Sequence, residues 1–187
     1  MHLNDLYAQR AATPSDISEH MPVLRALASE CGHVTEFGTR HGNSTVALLA
    51  GLADGAGLEG TLVSYDIDPG CAHAIPHGTE GLPNWQFHGL ADTGQLVVIE
   101  ETDMLFIDTL HDAAHVAREL VHAISVRRFL VFHDTVTFGV ADETTGQPPG
   151  ILQPIWEFLA SHEGARYWRV RDHFPNNNGL LVLENRR

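Results

Sequence analysis

The sequence predicts an α/β fold, a mainly parallel sheet with helices on both faces and an antiparallel last strand. Three observations carry this prediction. Seven short apolar runs alternate with helical patterns and turn signals, one run ends in glycines that lead directly into a helix start, and the last two runs are closely joined. Strands joined by so short a connection should pair antiparallel. The 187 residues suffice for one domain with a core, so we expect a single domain over 1–187, with residues 1–30 as an N-terminal helical segment.

The N-terminal third contains the first helices and the first strand of the predicted fold. A helix-start signal at 13–16 is followed by apolar residues at helical spacing from Ile17 to Ala28, and Pro22 kinks this helix or restarts it. A strand is predicted over about 33–37, and a helix follows over about 43–53.

The rest of the chain repeats this rhythm and then changes. Strands are predicted near 61–65, 85–87, 105–107 and 129–132, and before the last of these a helical pattern runs through Val116, Leu120, Ala123 and Ile124. A Gly- and Pro-rich loop over 139–150 precedes a helix at 151–162 and two strands at 167–170 and 180–183.

Composition limits the classes of function and partner. Eleven basic and 24 acidic residues leave a formal charge of −13, which argues against nucleic acid or an anionic membrane as a partner. No run approaches the ~20 apolar residues of a membrane span, and two cysteines do not make a disulfide framework. We therefore expect a reduced, cytoplasmic protein.

Polar residues end four of the predicted strands. They are Glu36, Asp66, Asp108 and the pair His133-Asp134. Any one of them alone would serve equally well as a helix cap or turn residue. Because ligands of an open parallel sheet bind at the carboxyl ends of its strands, the whole set predicts a functional site.

The first strand carries the most specific motif. Glu36, Gly38 and Gly42 are spaced E-x-G-x-x-x-G, and Asp66 lies 28 positions after Gly38, where an acid hydrogen-bonds a nucleoside ribose. A dinucleotide site prefers G-x-G-x-x-G and would place Glu36 beside a pyrophosphate, which is unfavourable. The motif therefore favours a cationic cofactor without phosphates.

These motifs, with Tyr65-Asp66-Ile67-Asp68-Pro69, Phe106-Ile107-Asp108 and Val131-Phe132-His133-Asp134-Thr135, resemble those of class I S-adenosylmethionine-dependent methyltransferases. The chain is most similar to small bacterial O-methyltransferases of the group that includes the cephalosporin-hydroxylase-like and macrolide-sugar methyltransferases. The resemblance covers about 15–185. It implies a Rossmann-like seven-stranded sheet and transfer of a methyl group from S-adenosylmethionine to a hydroxyl of a small molecule.

The resemblance also implies roles for individual residues. The cofactor would be held by residues after the first three strands: Glu36, Gly38, Gly42, Ser44, Asp66, Ile67, Gly89 and Asp92. Asp108 and Asp134, with His133 beside them, would bind a divalent cation such as Mg²⁺. His111 would face the transferred methyl, where it and Asp108 would be catalytic. A histidine there would suit a general base.

Two alternatives remain open at the level of sequence. His111 and His115 are four residues apart in a helical pattern, so with Asp134 they would suit a metal-dependent hydrolase. The chain also lacks the glycines that many relatives carry before the fifth strand, which keeps open a methyltransferase-like module that binds cofactor without turnover. The loop at 139–150 is expected to cover the acceptor, and the N-terminal helix is a candidate for a homodimer contact.

Overall fold

The computed structural model describes all of residues 1–187 and shows two compact units, 1–92 and 93–187. The first unit contains three strands and the second contains four, which makes seven in all. The predicted fold class is confirmed: the sheet is mainly parallel, and its last strand is antiparallel.

The first unit is a parallel three-stranded segment with three helices. β2 lies between β1 and β3, and Glu36 of β1 is in register with Ser64 of β2. Its strands and helices are β1 (His33–Phe37), β2 (Thr61–Tyr65), β3 (Asn84–His88), α1 (Leu3–Ala11), α2 (Met21–Ala28) and α3 (Asn43–Gly55). The boundaries of β1 and β2 agree with the prediction.

The N-terminal segment differs from the predicted helix. α1 precedes the helix-start signal at 13–16, and α2 begins only at Met21, with Pro22 in its first turn. Proline is tolerated there because the first N–H groups of a helix have no partner within it. Pro22 thus begins a second helix, and the apolar face from Ile17 to Ala28 is buried as predicted.

The second unit begins with a parallel strand pair and ends with an antiparallel one. β5 pairs parallel with β4 and antiparallel with β7, and β7 pairs antiparallel with β6. Its strands and helices are β4 (Thr102–Ile107), α4 (Ala113–Glu119), β5 (Val126–His133), α5 (Leu152–Ala160), α6 (His162–Tyr167), β6 (Trp168–Phe174) and β7 (Leu180–Asn185).

Two predicted elements of the second unit need correction. The helical pattern through Val116, Leu120, Ala123 and Ile124 is α4 only as far as Glu119, and a 3₁₀ helix over Leu120–Ser125 leaves Ile124 exposed. Tyr167 ends the short helix α6 and does not begin a strand, because Ser161 caps that helix through Gly164 N–H. No helix in the structure has the length and apolarity that crossing a bilayer requires.

Candidate functional site

The Glu36 carboxylate lies beneath the glycine turn. It is fully buried and accepts hydrogen bonds from Ser44 Oγ at 2.7 Å, Thr45 Oγ1 at 2.9 Å and Ser64 Oγ at 2.6 Å. Three hydroxyls thus compensate the cost of burying the carboxylate. Glu36 and Ser44 are predicted from the sequence to contact the cofactor. In the structure, the hydrogen bonds of the Glu36 carboxylate join β1, β2 and α3, so these two side chains support the turn.

The glycines of the turn are required by its backbone. Gly38 and Gly42 have φ of 88° and 75°, in the left-handed region that favours glycine. A Cβ on Gly42 would also lie 2.7 Å from the Cβ of Ala74. The turn leads directly into α3, so its backbone is the part of the motif available to a ligand.

Asp66, at the end of β2, holds the turn from the side. Its carboxylate accepts backbone N–H groups from Thr39 at 2.8 Å, Arg40 at 2.9 Å and Asp68 at 2.8 Å. Partial burial would raise the pKa of Asp66, but these backbone bonds and one from the Cys71 thiol together lower it. A thiol is the weakest of these donors, so a ribose hydroxyl would most readily replace the Cys71 contact.

Two exposed apolar side chains lie beside Asp66. Ile67 is 70% exposed and Leu90 is 78% exposed, and the backbone connects their segments because Ala91 N donates to Asp66 O at 3.0 Å. Leu90 also has φ of 60°, which is uncommon for leucine. Exposed apolar surface of this kind suits a flat aromatic ring. Sequence reasoning named Ile67, Gly89 and Asp92 here but did not single out Leu90, because exposure is not visible in a sequence.

The ends of β4 and β5 bring together Asp108, His111, His133 and Asp134, which we call the acid–histidine cluster. His133 Nδ1 lies 3.3 Å from Asp108 Oδ1 and 3.1 Å from Asp134 Oδ2. His111 Nε2 lies 2.9 Å from Asp134 Oδ2 and 3.5 Å from Asp108 Oδ1. The parallel pairing of β4 with β5 produces this convergence, since Ile107 and Phe132, the residues before Asp108 and His133, are in register.

Interactions within the cluster favour ionised carboxylates and protonated imidazoles. Burial alone would lower the pKa of His111 and His133, but the carboxylates raise both to about 10. Burial would raise the pKa of Asp108 and Asp134, but the histidines lower both. Without a metal, these contacts favour the protonated form of His111 at neutral pH. The role of His111 as a base stays a prediction.

The donor set of the cluster also fits a cation. One ligand atom from each of Asp108, His133 and Asp134 lies within 4.8 Å of the others, and Asp134 Oδ1 is buried with no hydrogen-bond partner. His133 Nε2 lies 3.3 Å from the Asn177 carbonyl oxygen, which can only accept a proton. Nε2 must therefore carry a hydrogen. When the ring is neutral, Nδ1 then carries none, and its lone pair faces the carboxylates. Either a proton or a metal ion must then separate Nδ1 from the carboxylates.

Glu143, in the loop at 139–150, is a site residue that sequence reasoning missed. Its Oε2 lies 2.9 Å from His111 Nδ1, and its backbone N–H donates to His111 O at 3.1 Å. Phe138 stacks on the same imidazole with ring centroids 4.7 Å apart. Both ring nitrogens of His111 therefore face carboxylates. The separation of 32 positions between His111 and Glu143 hides this contact in the sequence.

The predicted zinc pair of His111 and His115 is not formed. α4 begins at Ala113, so His111 lies outside the helix that was to align it with His115. His115 is buried, and its Nε2 lies 3.1 Å from Glu119 Oε1. This correction leaves His115 in a packing role and removes the basis of a hydrolase site with His111, His115 and Asp134.

Comparison with known proteins identifies the family. A family model described as a methyltransferase domain matches residues 35–135. No curated protein matches the sequence.

Three solved structures share this fold at low sequence identity. An O-methyltransferase from Bacillus cereus in complex with S-adenosylhomocysteine has a TM-score of 0.67 at 17% identity, covering 98% of this chain and 89% of that chain. The O-methyltransferase TomG from Streptomyces achromogenes, in complex with S-adenosylmethionine, has a TM-score of 0.62 at 16% identity, with 92% and 81% covered. The N-methyltransferase NodS from Bradyrhizobium japonicum, with S-adenosylhomocysteine, has a TM-score of 0.64 at 13% identity and complete coverage of both chains. These similarities concern the fold, whereas the family model spans more than half of the 187 residues, so the chain belongs to the methyltransferase-domain family.

Proposed function

We propose that this methyltransferase moves a methyl group from S-adenosylmethionine to a hydroxyl of a small molecule. The observation that carries the proposal is the acid–histidine cluster, which places two carboxylates and two imidazoles at the ends of β4 and β5. Such a set can hold an acceptor oxygen and manage its proton. The family match, which includes residues of both units, supports the proposal.

Residues of the first unit would hold the cofactor. We assign the backbone at Gly38 and Gly42 to the amino-acid part, Asp66 to the ribose, and the exposed side chains of Ile67 and Leu90 to the adenine. Asp92 and Gly89 lie in the same adenine segment. When bound, S-adenosylmethionine supplies a methyl group already activated by its sulfonium, so the protein must mainly align the acceptor and remove its proton.

Residues of the second unit would handle the acceptor. Asp108, Asp134 and His133 would hold a divalent cation, Mg²⁺ or, given the imidazole in the set, Mn²⁺. That cation would supply positive charge for orienting the acceptor oxygen and lowering its pKa. Positive charge there would also oppose protonation of His111, which could then serve as the base.

Cofactor binding is tested by calorimetry with S-adenosylhomocysteine. Asp66→Ala should weaken binding by roughly 1.5–3 kcal/mol, the scale of a lost hydrogen bond to a charged group. Glu59→Ala, an exposed acid of the same unit, is the control and should bind normally. Unchanged affinity in Asp66→Ala would exclude the ribose role, and tight binding of a nicotinamide dinucleotide would overturn the cofactor assignment.

Turnover is tested with a panel of hydroxylated small molecules and labelled cofactor. His111→Ala should reduce the rate at least tenfold, because a positioned base contributes about 10²–10⁴-fold. Activity that survives exhaustive chelation would rule out the cation. Cofactor binding without methylation of any acceptor would instead favour the module without turnover.

The remaining proposals concern setting and assembly. We propose a cytoplasmic location, supported by Cys31 and Cys71, which are buried and not joined in a disulfide. We also propose that α1 contributes to a homodimer and that neither nucleic acid nor membrane is a partner. Light scattering on the purified protein tests the homodimer proposal, and a monomer at all concentrations would contradict it.

A further inference from the structure

A cavity of about 500 Å³ lies in the first unit, where α1 meets the segments that follow β1 and β2. Its volume is in the range of sites for small metabolites. The lining is mostly polar and includes two arginines, two histidines and one aspartate: Arg10, Arg40, His41, His73 and Asp68.

The guanidinium of Arg10 is half-buried at this cavity and contacts only neutral acceptors. Its Nη1 donates to the backbone carbonyl of His41 and to Asn43 Oδ1 at 3.0 Å, and its Nη2 donates to Ala74 O at 2.9 Å. Burial lowers the pKa of Arg10, and no carboxylate opposes that effect. Three of the five guanidinium N–H donors are used, so two remain for a ligand.

Several other arginines of the chain do have a carboxylate partner. Arg25 pairs with Asp54 at 2.6 Å, Arg127 pairs with Glu101 at 2.5 Å, and Arg40 pairs with Asp16. In a chain with 24 acidic residues, a carboxylate partner for Arg10 would be easy to supply. A partly desolvated cation without one is costly, unless a bound anion provides the missing charge.

The remaining charged groups of the cavity do not neutralise Arg10. Asp68 is the acid in the lining, and its Oδ1 accepts the Gly70 N–H at 2.8 Å. Arg40 is a second cation of the lining, and it already forms an ion pair with Asp16. His41 and His73 are exposed and offer further N–H donors.

We propose that this cavity binds an anionic group, a carboxylate or a phosphate of a small molecule, through Arg10. Two sources share this chemistry: the amino-acid carboxylate of the cofactor, and a separate anionic metabolite. The first source rests on the proposed function, whereas the second does not.

The experiment measures binding of inorganic phosphate and of S-adenosylhomocysteine to the wild-type protein and to Arg10→Gln. Arg25→Gln is the matched control, because Arg25 also contacts α1, through Asn4 and Tyr7, but already has an acid partner. Loss of a charge-assisted bond should weaken anion binding about tenfold or more in Arg10→Gln and leave Arg25→Gln unchanged. Arg10→Lys, which keeps the charge without the planar fork, should fall between them.

A third probe, 5′-methylthioadenosine, separates the two sources because it lacks the amino-acid part of the cofactor. If the cofactor is the source, Arg10→Gln weakens the binding of S-adenosylhomocysteine but not that of 5′-methylthioadenosine. Phosphate then competes with S-adenosylhomocysteine for the site. If the anion belongs to a separate metabolite, Arg10→Gln loses phosphate binding and keeps its affinity for S-adenosylhomocysteine. No saturable phosphate binding to the wild type, together with equal S-adenosylhomocysteine affinity in both proteins, would overturn the proposal. Phosphate binding through Arg10 in a protein that binds no S-adenosylhomocysteine would overturn only the proposed function.

Discussion

At the scale of residues, the acid–histidine cluster is governed by the need for positive charge between Asp108 and Asp134. Two carboxylates that share a site repel each other unless a proton or a cation lies among them. The structure supplies two imidazoles for this purpose, His111 and His133, each within 3.5 Å of both acids. The imidazolium protons supply this charge in the metal-free protein, and the proposed cation would supply it when bound.

The first prediction concerns pH and stability of the metal-free protein. The pKa of His111 and of His133 is raised from 6.5 to about 10 in the folded state, so the folded state binds more protons between these values. The stabilisation is complete below about pH 6.5 and is lost as the pH rises toward 10. Urea unfolding with chelator present should thus show a free energy of unfolding that falls from about pH 6.5 to about pH 7.5, which lies below the pKa of about 8.5 of a free thiol.

The matched variant for this measurement is His111→Gln combined with His133→Gln. It should flatten the pH dependence in that window. An equally steep decline in the variant would show that other groups cause it.

The second prediction concerns the buried carboxylate of Glu36. Glu36→Ala leaves the hydroxyls of Ser44, Thr45 and Ser64 without their shared acceptor, so the free energy of unfolding should fall by about 2 kcal/mol or more. Denaturant unfolding measures the loss. Glu59→Ala is exposed and should stay within about 0.5 kcal/mol of wild type. Equal stability of the two variants would refute the supporting role of Glu36.

At the scale of elements, the loop at 139–150 has its own internal structure and a contact with His111. Asp142 Oδ1 accepts the backbone N–H groups of Thr144 at 2.8 Å and Thr145 at 2.7 Å, and Asp142 N donates to Gln147 O at 2.9 Å. These bonds order the turn locally, while Glu143 ties it to the acid–histidine cluster. The loop is thus placed to respond to the state of His111.

The third prediction follows from that contact. Glu143→Gln removes the ionic partner of His111 Nδ1, so backbone amides of the loop should exchange about fivefold faster or more, as expected for a weakened charge-assisted bond. Hydrogen exchange read by mass spectrometry measures this. Glu157→Gln, on the exposed side of α5, is the control. Loop exchange as slow in Glu143→Gln as in wild type, or as slow as in the core strands, would contradict the idea of a lid.

At the scale of the whole molecule, the question is whether the two units unfold together. The family match crosses the boundary between residues 92 and 93, which favours the single domain predicted from the sequence. Trp85 belongs to the first unit, and Trp156 and Trp168 belong to the second. We predict that all three tryptophans report one cooperative unfolding transition.

The test uses two variants, one that keeps only Trp85 and one that keeps only Trp156 and Trp168. Fluorescence-detected urea unfolding should give the same midpoint for both, after correction for the stability of each variant. S-Adenosylhomocysteine at 100 times its dissociation constant should raise both stabilities by about 2.7 kcal/mol. Separate midpoints, or stabilisation of the first unit alone, would divide the chain into two domains.

The fold class could be predicted from the sequence because the signals that define it are local. Apolar runs bounded by turns predicted β1 and β2 to the residue, and the Gly38–Gly42 pattern predicted a turn whose φ angles only glycine adopts readily. Short elements were less predictable. α6 has six residues, too few for a helical period to be distinguished from the strand that follows it.

The sequence also determined which residues end the strands, and so most of the candidate site. Asp108, His133 and Asp134 converge because parallel strands present their carboxyl ends at one edge. Tertiary structure alone decided the burial of Glu36, the contact of Glu143 with His111 and the lack of an acid beside Arg10. Each of these depends on groups brought together from distant parts of the chain, and a side chain's charge and exposure are set by such neighbours rather than by its position in the sequence.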